Sequence, residues 1–121
     1  MELKLIEKSF SICKVIDLSK VNFNDEYVFL AKTDEEISLV CQTKYVPGNC
    51  VECEKGWSAF RINGELDFSL IGILSKISKI LADNKIGIFV VSTYNTDYIF
   101  VKEDNLTSAI EVLTAAGYRF I

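Results

Sequence analysis

Apolar and polar positions change period several times along the chain, and each change marks an element. Over residues 3–15 the apolar set Leu3, Leu5, Ile6, Phe10, Ile12, Cys13 and Val15 alternates in part, which predicts one long or bent strand. Residues 17–24 hold no sustained helical period and read as a turn or a single helical turn. Two short β-rich runs follow, 27–31 and 37–41, joined by the acidic tip Thr33-Asp34-Glu35-Glu36. Tyr45-Val46-Pro47-Gly48-Asn49 holds the chain's one proline, in a Pro-Gly pair, and is the strongest loop signal. We place a boundary there, between a first unit, 1–49, and a second, 50–121. Residues 50–54 are ambiguous, whereas 57–62 alternate cleanly as a half-buried strand ended by Asn63-Gly64.

The strongest helix pattern spans residues 70–84. Leu70, Ile73, Leu74, Ile77, Ile80 and Leu81 form one face, and Asp67 or Ser69 is placed to cap it. Gly72 falls inside this helix, where it costs about 1 kcal/mol relative to Ala; close packing and close approach of a ligand both require a small residue there. Residues 86–91 are apolar almost throughout, as expected of a strand central in a sheet or covered on both faces. The polar hairpin Ser92-Thr93-Tyr94-Asn95-Thr96-Asp97 joins it to a strand at 98–101. Asp104 then caps a second helix with the stripe Leu106, Ala109, Ile110 and Leu113, Gly117 ends it, and 118–121 forms a last strand. From Trp57 the order is strand, helix, strand, strand, helix, strand. The predicted fold is α+β, a ferredoxin-like antiparallel sheet with helices on one face, preceded by a half with little helix.

Composition narrows the functions available. The chain has 121 residues, half of them apolar, enough for one domain or two small ones. Acidic residues outnumber basic ones by 17 to 13 and the basic ones are scattered, so no face is suited to nucleic acid or to anionic membranes. No apolar run nears the roughly 20 residues of a membrane span, and the start is too mixed for a signal peptide; a cytoplasmic protein is expected. Histidine is absent, which removes the commonest general base and metal ligand. Cys50-Val51-Glu52-Cys53 is a C-x-x-C pair, but Cys13 and Cys41 lie within predicted strands, so no metal site and no cofactor are expected. No nucleophile and base come together either, and no enzyme is expected.

The βαββαβ order, a glycine in the first helix, and the STYNTDY hairpin at 92–98 resemble the ACT domain. More narrowly they resemble the CASTOR-type tandem ACT proteins, a group that includes cytosolic arginine sensors and small bacterial relatives. The resemblance covers nearly the whole chain, with 1–7 and 36–41 supporting the more specific hairpin. It implies a degenerate ACT-like unit at 1–49 beside a complete ACT domain at 50–121. It also implies a regulatory or sensor module that holds a free amino acid at a junction of ACT units or subunits, and a homodimer. Carried onto this chain, the implied ligand-binding residues are Asp67, Phe68, Ser69, Leu70 and Ile71 in the loop, Gly87 and Ile88 on the strand, and Thr93, Tyr94 and Asp97 in the hairpin. Leu70 stands where the arginine-sensing members carry an acidic residue, so arginine itself is not implied. Two other readings stay open: the hairpin polar groups merely build a turn, or the module binds a protein partner without a ligand.

Overall fold

In the computed structural model, residues 1–67 and 70–121 are described. Among the described residues, seven strands and two α-helices follow one another as β1 Glu2–Val15, β2 Val28–Lys32, β3 Ile37–Gln42, β4 Cys50–Ile62, α1 Ile73–Asp83, β5 Ile88–Ser92, β6 Asp97–Lys102, α2 Leu106–Ala115 and β7 Arg119–Phe120. The chain divides into two compact units, one of Met1–Glu7 with Ser58–Ile121 and one of Lys8–Trp57. The long strands β1 and β4 each contribute to both.

In the unit of Met1–Glu7 and Ser58–Ile121 the strand order is β7-β1-β4-β6-β5. β5 and β6 pair antiparallel, from Ile88 opposite Val101 to Ser92 opposite Asp97. β7 instead runs parallel to the start of β1, Leu3 lying opposite Phe120, and the Ile121 N–H donates to the Leu3 carbonyl at 2.8 Å. The opening strand, expected only in the first half of the sequence, therefore lends its first residues to this unit. Local periodicity does not reveal that placement, because it depends on a partner more than a hundred residues away.

Phe60 and Ile62 on β4 share one buried cluster with Ile99 and Val101 on β6, Ile77 and Leu81 on α1, and Ala109 and Leu113 on α2. Residues two apart on a strand share a face, so both helices cover the same face of the sheet, as the order of strands and helices predicts. Fully burying side chains of this size contributes about 1.5–3 kcal/mol each.

Both helix starts differ from expectation. α1 begins at Ile73, three residues later than its apolar stripe suggests, because Gly72 sits at the N-cap with φ of +82° rather than inside the helix. No side chain caps it. Nothing lies within 4 Å of a Cβ placed on Gly72. Gly72→Ala therefore meets no clash and bears only the left-handed backbone penalty, about 1–2 kcal/mol; a denaturant-midpoint shift corresponding to that loss, with unchanged slope, is the expected outcome. α2 starts at Leu106 after a 3-10 turn at Glu103–Asn105, so Asn105 rather than Asp104 occupies the N-cap. Gly117 does close it: at φ of +101° it returns the Tyr118 N–H to the Leu113 carbonyl at 3.0 Å.

In the unit Lys8–Trp57, β3 pairs antiparallel with both β1 and β2, and β4 lies on the other side of β1. Cys13, Val15, Leu39 and Cys41 form one buried cluster in it, and Phe10 and Val40 are buried as well. It holds one 3-10 turn, Thr43–Tyr45, and no α-helix. The Pro47-Gly48 pair makes a turn inside this unit, closed by the Cys50 N–H on the Pro47 carbonyl at 3.2 Å.

A structural repeat links the two hairpins. β2, β3 and the turn at Thr43–Tyr45 correspond to β5, β6 and the turn at Glu103–Asn105, offset each time by 60 positions (28 to 88, 37 to 97, 43 to 103). Thr33 N–H donates to the Glu36 carbonyl at 2.9 Å, and Thr93 N–H to the Thr96 carbonyl at 2.8 Å. The repeat ends where α2 begins, and at the matching point the other unit has Pro47-Gly48. Proline in a helix's interior costs ~3 kcal/mol or more, whereas at the first turn its φ is tolerated; with glycine after it, no helix forms there.

Candidate functional site

The polar hairpin is anchored on both sides. Thr96, 6% exposed, donates its hydroxyl to the Ile62 carbonyl at the end of β4, at 2.8 Å. Four residues on, the Leu66 N–H donates to the Asn95 carbonyl at 2.7 Å. Within the turn the Thr93 hydroxyl reaches the Thr96 carbonyl at 3.0 Å. The Thr93 side chain thus makes the local turn bonds, whereas that of Thr96 reaches out of the turn to β4. Asp97 is different: its carboxylate takes part in no side-chain hydrogen bond or ion pair among the described residues. Thr96→Val keeps the shape and strands the Ile62 carbonyl, so a loss of about 1–3 kcal/mol is expected in chemical denaturation, with the 92–97 amides losing exchange protection first.

These bonds hold the hairpin against the connection from β4 to α1 and leave a cavity of about 260 Å³ between them. Asp67, Leu70, Thr93, Tyr94 and Asp97, five of the residues proposed from sequence, line it. Ile71 is 92% exposed and does not. Gly87 and Ile88 do not either, because Ile88 lies at the far end of β5, roughly 13 Å from the hairpin at ~3.3 Å per residue. Phe68 and Ser69 lie outside the described residues, and with them the Ser69 cap; Asp67 is too far upstream to cap a helix starting at Ile73, and its carbonyl accepts from the Leu70 N–H at 3.0 Å.

Residues outside the implied ligand-binding set complete the lining: Leu66, Gly72, for which close approach of a ligand is one reading, Ser92, Asn95, Thr96 and the first turn of α1, Ile73 to Ser75. The STYNTDY motif already contained three of them. The helix turn was missed because the helix was expected to start earlier.

The cavity joins unlike charges. Among the described residues its lining includes two carboxylates, Asp67 and Asp97, and no Lys or Arg. The N-terminus of the 11-residue helix α1 opens onto it, where unpaired amides carry roughly half a positive charge. A small zwitterion fits such a pairing, its carboxylate toward the amides and its ammonium group toward the aspartates. The volume is below the ~300–1,000 Å³ usual for drug-sized ligands.

Residues 52–115, just over half of the chain, match the family model of the ACT domain. The chain belongs to the ACT domain family. Over 58 residues, 47% of the chain, it is 41% identical to the human protein "Cytosolic arginine sensor for mTORC1 subunit 1", and equally to the cattle protein. That stretch is 18% of the sensor's own length. A solved protein from Agobacterium tumefaciens superposes with a TM-score of 0.84 at 30% identity, over 99% of this chain and 91% of that one. The regulatory subunit of aspartate kinase from Thermus thermophilus shares the fold at a TM-score of 0.66 and 9% identity, over 95% and 97% of the two chains. The hairpin and the start of α1 lie within the stretch matched to the ACT model.

Proposed function

We propose that this chain is an amino-acid-binding regulatory module of the ACT type. The observation that carries the reading is the cavity between the 92–97 hairpin and the start of α1, with two aspartates and a helix N-terminus around one small volume. The names of similar proteins support it: one is called an arginine sensor, and one that shares the fold is called the regulatory subunit of aspartate kinase. The repeated hairpin supports a tandem arrangement, a complete ACT domain with a degenerate second unit.

The ligand's carboxylate sits on the first-turn amides of α1, its ammonium group on Asp97 with Asp67, and its side chain against Leu70 and Tyr94. Binding favours one arrangement of the protein over another and so shifts its population. Leu70 and Tyr94, exposed by 53 and 75%, line the cavity. An apolar rim of this kind fits coverage by a second copy, as a homodimer. No helix among the described residues is long and apolar enough to cross a membrane, and action in the cytoplasm as a non-catalytic module completes the proposal.

The same exposed rim favours one alternative, a structural module that binds a protein partner without a ligand. Thermal melting with each of the twenty amino acids at millimolar concentration separates the two. A sensor gains about 2.7 kcal/mol when ligand reaches a hundred times its Kd. If no amino acid shifts the melt, the association module is the better description.

A further inference from the structure

The sequence scatters its four cysteines over residues 13–53, and the unit Lys8–Trp57 gathers them. The strand placement of Cys13, which argues against a metal site when the sequence is read alone, is what brings it to the C-x-x-C pair, since β1 and β4 are neighbours in the sheet. The Cys13 and Cys53 sulfurs are 3.6 Å apart, and the sulfurs of Cys13, Cys50 and Cys53 all lie within 4.8 Å of one another. Residues three apart on a regular strand point to opposite faces. Cys50 and Cys53 converge because Cys50 is the first residue of β4, leaving the Pro47 turn, and its thiol folds back onto the Glu52 carbonyl at 2.9 Å.

We propose that Cys13, Cys50 and Cys53 form a thiolate site for a thiophilic metal ion, Zn²⁺ by preference, that staples β1 to the start of β4. Sulfurs bound to one zinc at ~2.3 Å stand about 3.8 Å apart in a tetrahedron, so the observed spacing needs little adjustment. Cys41, buried on β3 opposite Ser11, is not among the three sulfurs within 4.8 Å of one another, so water takes the fourth position. The path in is open, because Cys53 is exposed and Cys50 half-buried. Burial and the neighbouring sulfurs push the Cys13 thiol far above its usual range and Cys41 up to about 11. The physical gain is plain: a unit without an α-helix acquires a cross-link between two strands.

The test is titration of the reduced full chain with Co²⁺, followed by Zn²⁺. Thiolate-to-cobalt charge-transfer absorption should rise to saturation at one ion per chain and vanish as Zn²⁺ displaces it, and Zn²⁺ should raise the melting temperature. Cys53→Ser and Cys50→Ser should each weaken binding at least tenfold, and the accessible positions of both side chains should leave the metal-free fold intact. A reduced chain that takes up neither ion, including one that only closes a Cys13–Cys53 disulfide in air, overturns the proposal. So does binding unchanged in both variants.

Discussion

Phe60→Ala should destabilise the fold by about 3–5 kcal/mol, the cost of deleting a buried aromatic and leaving a cavity. Phe60 is completely buried, belongs to the cluster that both helices share, and meets Phe120 edge-on with ring centroids 5.4 Å apart. The loss is large against a total stability of ~5–15 kcal/mol, and a fall in Tm of more than about 10 °C is expected. Phe60→Leu keeps most of the volume and should cost well under half as much. Because Phe60 lies two residues before Ile62, whose carbonyl anchors Thr96, the alanine variant should also expose the 92–97 hairpin to faster hydrogen exchange. A change of only a degree or two in Tm would show that the cluster does not hold the fold together.

Asp97→Asn should leave stability nearly unchanged and weaken amino-acid binding about 10- to 100-fold. The carboxylate is half-buried, lies on the cavity wall and has no ion pair to lose among the described residues. A charge-assisted bond to an ammonium group contributes ~1.5–3 kcal/mol, and each ~1.4 kcal/mol is a factor of ten in Kd. The contact is open to solvent, so the wild-type affinity should fall with added salt while the variant's falls less. Calorimetric titration of both proteins at two salt concentrations reads this directly. Equal affinities would remove Asp97 from the site and leave Asp67 as the ammonium partner.

What could be read from the chain followed from how local each signal is. The stripe Ile73, Leu74, Ile77, Ile80, Leu81 and the stop at Gly117 are encoded within a few residues, and both helices appear on those patterns, although their starts differ. Gly72 was legible as unusual but not as an N-cap, because a positive φ leaves no periodic trace. The pairing of β7 with Leu3, the anchoring of Thr96 on Ile62 and the meeting of Cys13 with Cys53 depend on distant partners. No window of sequence contains them. The candidate site was half legible for the same reason: the STYNTDY hairpin is contiguous, whereas its facing wall is the first turn of a helix whose start was misplaced by three residues. Gly87 and Ile88 belong to the strand that carries the hairpin, yet a strand's length separates them from the cavity.

The most direct trial of the amino-acid-binding role is an NMR titration of the isotope-labelled chain with the amino acid that most raises its melting temperature. Saturable shifts of the backbone amides should concentrate at Leu66, Gly72 to Ser75 and Ser92 to Asp97. Spectra that remain unchanged for every amino acid at millimolar concentration, or shifts confined to residues away from this cavity, would contradict it.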